Sequence, residues 1–298
     1  MRLADYARLF VLAAIWGGSF IFMRVLAPAL GAVPTAALRV AIAGVAMVAY
    51  LRLARIDMAW RTRWWHYWVI GMLNSGIPFT LFSFAALHLP AGYSAIVNSL
   101  TPLFGALFAA LWLGEPLRPA RLTGLALGMT GVTLVAWRGG HAPDAWFVPA
   151  VLACVGSTIC YALTGIYLEK FAAGFPPLAT AGCSLLASSI LLLPVAAALA
   201  PPLAAFTLPI VLCLAALSLL CSAVAYTIYY RLMRDVGPTR AFTVTFLTPG
   251  FGMLWGLLFL GERVTPIMLL GFALVVSGTL TVGGAFSRLL ARRPATAG

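Results

Sequence analysis

Between residues 9 and 286 the sequence is a nearly continuous series of apolar runs. Each is close to the roughly 20 residues that a helix needs to cross hydrocarbon. Ten runs separate, approximately Leu9–Leu30, Val33–Leu51, Trp68–Leu87, Pro90–Leu113, Leu122–Trp137, Ala145–Leu168, Pro177–Ala200, Thr207–Tyr230, Ala241–Leu260 and Val264–Phe286. Backbone polar groups in lipid must find partners inside the segment, so each run is expected to be helical. The short alternating segments of a membrane barrel are absent. Soluble domains hold about 25% charged residues, whereas only 9% of these 298 are charged and 63% are hydrophobic. No room remains for a soluble catalytic domain. The expected fold is an all-α membrane protein with ten transmembrane helices.

The first run imitates a secretory leader, with Arg2 and Arg8 before it and Ala27-Pro28-Ala29 in the place of a cleavage site. It is too long for one and carries Arg24 late in its course, so it is read as a span. The five cysteines all lie inside apolar runs without metal-ligand spacing and read as small packed hydrophobes.

Nineteen Lys+Arg against seven Asp+Glu give a formal net charge of +12. On a soluble chain this would suggest nucleic acid. Here 15 of the 19 basic residues fall on one side of the expected spans: Arg2, Arg8, Arg52, Arg55, Arg61, Arg63, Arg118, Arg121, Lys170, Arg231, Arg234, Arg240, Arg288, Arg292 and Arg293. The other side holds Arg138 and Arg263, and Arg24 and Arg39 lie within spans toward it. Basic residues mark the cytoplasmic side, so both termini are expected there. The bias therefore explains the charge without a nucleic acid, and the expected location is the inner (plasma) membrane. The Trp64-Trp65-His66-Tyr67-Trp68 cluster reads as an aromatic belt at that interface.

The chain also repeats itself. Residues 100–135 align without a gap to residues 247–282, with 17 identities in 36 positions. Leu-Thr-Pro pairs with Leu-Thr-Pro, Leu-Gly-Glu with Leu-Gly-Glu, Gly124 with Gly271, and Gly131 with Gly278. Earlier segments match more weakly: Trp16-Gly17 faces Tyr161-Ala162, and Thr35-Ala36 faces Thr180-Ala181. Matches at Thr, Pro, Gly and Glu are not what chance alignment of apolar text produces. Two units follow, residues 1–139 and residues 140–298 with a basic tail, of five spans each. Five is odd, so the second unit enters the membrane from the opposite side. Inverted repeats of this kind build transporters with a substrate site near the midplane.

Trp16-Gly17-Gly18-Ser19-Phe20, Arg24, Arg39, both Thr-Pro and Leu-Gly-Glu elements and the paired glycines resemble the drug/metabolite transporter superfamily. Within it they resemble the EamA family of two five-helix repeats, over nearly the whole chain. The resemblance implies ten helices and export of small metabolites, often amino acids. It is similar in overall look to the aromatic amino acid exporter group. The Trp16 motif is weaker in the second half, where Tyr161-Ala162 replaces it.

Candidates for lining a substrate cavity are Trp16, Ser19, Asn74, Phe79, Tyr93, Asn98, Tyr161, Tyr226, Thr245 and Trp255. Apolar walls with a few fixed polar groups are the usual small-ligand site. Helix packing is the competing role for any single Ser, Thr or aromatic residue. Asn74 and Asn98 stand out because an amide is costly to turn toward lipid. Pro102 and Pro249 fall midway along the fourth and ninth spans and remove the hydrogen bonds to the carbonyls of Asn98 and Thr245. They are read either as gating kinks that border the pathway or as static bends. Arg24 and Arg39 form either a charged outer vestibule for a substrate carboxylate, or snorkel to headgroups or pair with Glu262 or Asp144. Glu115 and Glu262 are expected to cap the helices that follow them.

No Asp, Glu, His or Lys occupies a central span position, so a carboxylate proton relay is missing and facilitated export is expected. Glu115, Glu262 and His88 near span ends keep a proton-coupled drug, metabolite or nucleoside exporter as the alternative. A phosphate-binding GxxxxGK[ST] loop and an HExxH zinc motif are absent, so no cofactor, metal or catalytic residue is assigned. An intramembrane lipid-modifying enzyme would need clustered acids or histidines, and here they are dispersed. A non-transporting scaffold or sensor leaves the paired Thr-Pro elements unexplained. The expected partners are a small-molecule substrate and the lipid bilayer, with one chain sufficient to hold both repeats.

Overall fold

The computed structural model describes residues 2–116, 119–138, 145–241 and 243–282, and these contain no strand. In chain order the helices are α1 (Leu3–Leu30), α2 (Ala32–Leu53), α3 (Trp60–Gly71), α4 (Ile77–His88), α5 (Ala91–Asn98), α6 (Thr101–Trp112), α7 (Pro119–Arg138), α8 (Phe147–Phe171), α9 (Pro177–Ala198), α10 (Leu208–Ala215), α11 (Ala225–Val236), α12 (Pro238–Ala241), α13 (Val244–Leu260) and α14 (Pro266–Val282). A π-helical stretch, Met72–Gly76, joins α3 to α4, and a second, Ala216–Val224, joins α10 to α11. With these joins, and with α5 and α6 taken as one run, the described residues hold eight helical segments long and apolar enough to cross a membrane, and α13 and α14 are two shorter apolar helices. The protein is a multi-pass membrane protein. Large apolar side chains such as Phe10, Leu152, Leu212, Leu258 and Phe259 face outward, a surface suited to hydrocarbon and not to water.

Short connections force neighbours together. Gly31 alone links α1 to α2, and its φ of +89° is a conformation in which a side chain would be strained. Long-range pairing then organises the bundle: α7 packs on α14, α2 on α9, α1 on α13 and α4 on α8. Small residues set how near the backbones come. A Cβ added at Gly124 would lie 2.5 Å from the Gly278 carbonyl oxygen, and one at Gly131 would lie 2.6 Å from that of Gly271. One pair ascends as the other descends, so α7 and α14 run antiparallel. Gly44 makes the same approach to the backbone at Leu185 and Leu186 on α9.

At the expected aromatic belt, Trp64 and Trp65 are exposed, whereas Tyr67 is fully buried and donates to the Met58 carbonyl at 2.5 Å. His66 Nδ1 lies 2.8 Å from the Tyr167 hydroxyl. Half of that cluster thus faces inward. All five cysteines are free thiols, three of them buried.

Candidate functional site

The centre of the site is an arginine. Arg39 sits two turns into α2, and only 4% of it is exposed. Its Nε donates to Ser222 Oγ at 3.1 Å, Nη1 lies 3.7 Å from Met23 Sδ, and the guanidinium carbon stands 3.6 Å from the centroid of the Phe79 ring. Stacking on an aromatic face partly offsets the desolvation of a cation. Tyr161, Tyr226 and Cys221 are its nearest electrostatic neighbours. No carboxylate among the described residues pairs with it.

Aromatic rings surround this charge. Phe79, Tyr161, Tyr226 and Tyr230 share one packed cluster with Ala36, Val40 and Ala43 of α2. Trp16 meets Tyr229 at 5.2 Å and Tyr226 at 6.4 Å between centroids, and Tyr226 stacks on Tyr230 at 6.1 Å. Tyr161 stacks on Phe82 at 6.2 Å. The Asn74 amide donates to the Tyr226 hydroxyl at 3.1 Å. Tyr161, Tyr226 and Tyr230 are each partly exposed.

Both π-helical stretches serve this site. Met72–Gly76 carries Asn74, and Ala216–Val224 carries Ser222 and Cys221. The offset of 145 that relates Thr35-Ala36 to Thr180-Ala181 maps residues 72–76 onto 217–221, so the two bulges fall at equivalent places. A π-bulge shifts the helix face by one residue, and such bulges often occur at functional sites. Apolar periodicity carries no signal for them. Ser222 and Tyr230 are the residues that sequence reasoning missed.

Of the ten expected lining residues, five meet around Arg39: Trp16, Asn74, Phe79, Tyr161 and Tyr226. Other contacts place the remaining five. Ser19 is buried and donates to its own helix at the Trp16 carbonyl, 2.7 Å away. Tyr93 is 1% exposed and packs edge-on against Phe147. Trp255 stands at the α1·α13 seam, where its indole donates to the Ala14 carbonyl at 2.9 Å. Thr245 occupies the first turn of α13, and Asn98 ends α5.

The two span arginines separate. Arg39 is neither at an outer vestibule nor snorkelling, because its fork turns inward to Phe79 and Ser222. Arg24 takes the pairing role: Nη1 donates to the carbonyls of Ala86 at 2.6 Å and Leu87 at 3.0 Å, and Nε lies 3.9 Å from Glu262 Oε1. Asp144, its other expected partner, lies outside the described residues. Glu262 caps a helix, but not the one that follows it. Both of its oxygens accept from Ala91 N at 3.0 Å, at the start of α5. Glu115 pairs with Arg121 in the first turn of α7.

A family model described as the EamA-like transporter family matches residues 6–137 and 148–284. The chain belongs to the EamA-like transporter family. Like the family, it is a transporter and not an enzyme. The uncharacterized inner membrane transporter YedA of Escherichia coli (strain K12) is 26% identical over 284 residues, covering 93% of this chain and 90% of that protein. A probable terminal-alkyne amino-acid exporter of Streptantibioticus cattleyicolor is 27% identical, covering 72% of this chain and 70% of that one. The aromatic amino acid exporter YddG of Ancylobacter novellus is 33% identical over 111 residues, 36% of this chain and 38% of that one. A solved crystal structure superimposes with a TM-score of 0.67 at 22% identity, over 98% of this chain and 99% of that one, a likeness of fold. The chain is accordingly a multi-pass inner membrane protein.

This EamA chain treats its two Leu-Thr-Pro elements differently. The fourth span breaks: α5 ends at Asn98, a turn at Ser99-Leu100 intervenes, and α6 restarts at Thr101 with Pro102 in its first turn. Proline costs nothing there, because the first-turn N–H groups have no helical acceptor. The Asn98 carbonyl accepts from Thr101 Oγ1 at 2.8 Å. Pro249, in contrast, lies inside an unbroken α13, where Thr248 Oγ1 bonds the Val244 carbonyl at 2.9 Å. A gating role therefore predicts a difference. Pro102→Ala is expected to slow efflux several-fold by letting α5 and α6 join, and Pro249→Ala to change it little. Rates measured at matched expression test this, and equal rates for both variants and the parent end the gating role.

Proposed function

We propose that this chain exports small metabolites from the cytoplasm, foremost neutral or aromatic amino acids, by alternating access through the cavity around Arg39. The observation that carries the reading is one buried cation, Arg39, packed among aromatic side chains with no carboxylate paired to it among the described residues. Tyr161, Tyr226 and Trp16 supply apolar walls, and Asn74 and Ser222 supply a few fixed polar groups, the usual composition of a small-ligand site. The names of the two exporters above support amino acids as the cargo.

Ten helices in two inverted repeats, residues 1–139 and 140–298, are the architecture that fits this mechanism. The antiparallel crossing of α7 and α14 supports it, since Gly124 meets Gly278 while their repeat equivalents, Gly271 and Gly131, meet each other. So do Trp16 and Tyr161, equivalent positions that face the same cavity from two sides. The distribution of Lys and Arg supports a cytoplasmic location for both termini. Transport runs down the substrate's own gradient. The acids that the structure describes sit at helix ends or in links, away from the cavity.

Efflux from proteoliposomes loaded with labelled aromatic, small neutral, basic and acidic amino acids tests the proposal. Release of aromatic members without a pH gradient is expected. Tyr226→Ala and Trp16→Ala are expected to slow it about tenfold, the equivalent of about 1.4 kcal/mol of lost aromatic contact. Release only under a proton gradient replaces facilitated export by proton coupling. Absence of release of any amino acid from folded protein ends the amino acid reading.

A further inference from the structure

We infer that Arg39 recognises the substrate by its carboxylate, and that the α-amino group of an amino acid is dispensable to this carrier. The inference rests on the export function proposed above and narrows it to a chemical class: aromatic monocarboxylates, with or without an amine.

The first premise is an unbalanced charge. Arginine has five N–H donors in a planar fork and does not lose its proton in proteins. Here one donor meets the Ser222 hydroxyl and another a thioether sulfur, and the Phe79 face covers the fork. Those contacts are neutral. A buried cation without an anionic partner is costly, and a carboxylate that binds the fork with two parallel hydrogen bonds removes that cost. Lysine would present only a point charge, so the planar guanidinium itself suits a planar anion.

The second premise is what the cavity lacks. The acidic residues that the structure describes are engaged or placed elsewhere. Asp5 and Asp235 meet Arg8, Asp57 accepts from Ala59 N, Glu115 meets Arg121, Glu262 meets Ala91 N, and Glu169 is exposed at the end of α8. An ammonium beside Arg39 would find only neutral oxygens, among them the Asn74 amide, the Ser75 and Ser222 hydroxyls and the phenols, and would be repelled by the guanidinium. One end of a zwitterion is strongly held and the other is not. The third premise is the wall: Phe79, Tyr161, Tyr226 and Trp16 suit an aromatic body attached to that carboxylate.

The test is a substrate series on the unmodified protein. Proteoliposomes are loaded in turn with labelled L-phenylalanine, N-acetyl-L-phenylalanine, 3-phenylpropanoate, L-phenylalanine amide and phenethylamine. The three carboxylates are expected to leave, and the amide and the amine to leave at least about tenfold more slowly, the size of one lost charge-assisted hydrogen bond. A potential negative on the loaded side is expected to speed the two net anions and leave phenylalanine unchanged, because only they carry charge across the field. In folded Arg39→Gln protein, acid efflux is expected to drop to the level of the amide, and Arg39→Lys to restore part of it. Amine efflux as fast as acid efflux in the unmodified protein overturns the inference, as does an acid preference that survives Arg39→Gln. Amine efflux that requires chloride, with acids no faster, also overturns it by making a small inorganic ion the partner of Arg39. Release of neither this series nor any amino acid overturns the export reading itself.

Discussion

Alanine at Gly131 or Gly278 is expected to destabilise the folded protein by about 1–3 kcal/mol, and leucine at either position by more. A Cβ added at Gly131 would stand 2.6 Å from a backbone oxygen, whereas ordinary contact begins near 3.4 Å. The obstacle is the Gly271 carbonyl on the facing helix, which cannot swing aside as a side chain can. The helices must separate instead, and in lipid close packing is what holds them. A double-mutant cycle sharpens the expectation. Gly124 and Gly278 share one contact, so their alanine penalties overlap. Gly124 and Gly271 belong to two contacts about 10 Å apart along the helix, so their penalties add. Thermal unfolding in detergent reads both outcomes. Strict additivity for Gly124 with Gly278, or no penalty for either single variant, would falsify the crossing. Repeat alignment pairs Gly124 with Gly271, so the cycle distinguishes equivalence in sequence from contact in space.

Much of this bundle is legible in the sequence because lipid leaves few alternatives. Ten apolar runs reappear as eight long segments and two shorter helices, and the repeated glycines as a close backbone-to-backbone crossing. The cavity is legible in part. Trp16, Asn74, Phe79, Tyr161 and Tyr226 are polar or aromatic residues in spans, and that chemistry favours an interior position. Tyr93 and Trp255 share the same chemistry but face helix seams, because position along a run gives depth and not direction. Arg39 shows this most plainly. Its distance from the end of the run suggested an outer arginine, and only the packing of α2 against the second π-helical stretch turns it inward. The π-helical stretches themselves leave no trace in hydropathy, since inserting one residue in a turn does not change composition. The two Leu-Thr-Pro elements are identical in sequence and unlike in structure. A proline permits a break but does not impose one. The neighbours decide it: α13 lies along α1 for its length, while α6 leans on α8.

Removing the Glu262 carboxylate is expected to cost about 2–4 kcal/mol, because it accepts from the Ala91 N–H and faces the Arg24 guanidinium. Its oxygens accept from Ala91 N at the start of α5, and Arg24 stands 3.9 Å away with its other nitrogen on the last carbonyls of α4. A single side chain thus joins the end of α13 to α1, α4 and α5. The Glu262 side chain is 15% exposed, so water compensates poorly for its loss. Glu262→Gln keeps an acceptor for Ala91 N and loses only the charge. It is expected to cost about 1 kcal/mol, the ordinary worth of one hydrogen-bond interaction. Arg24→Gln should then cost less in the Glu262→Gln background than in the parent protein. Equal costs would mean that Arg24 is held by the Ala86 and Leu87 carbonyls alone. The other half of the chain cannot build the same clasp. At the repeat offset of 147, Glu262 corresponds to Glu115 but Ala91 corresponds to Pro238, which has no N–H to donate. At the offset of 145, Arg24 corresponds to Glu169, which would repel Glu115. Glu115→Gln is therefore expected to change stability by less than about 0.5 kcal/mol, its pair with Arg121 being exposed and local. The contrast between two glutamates that align in sequence measures how far the two ends of the bundle have diverged.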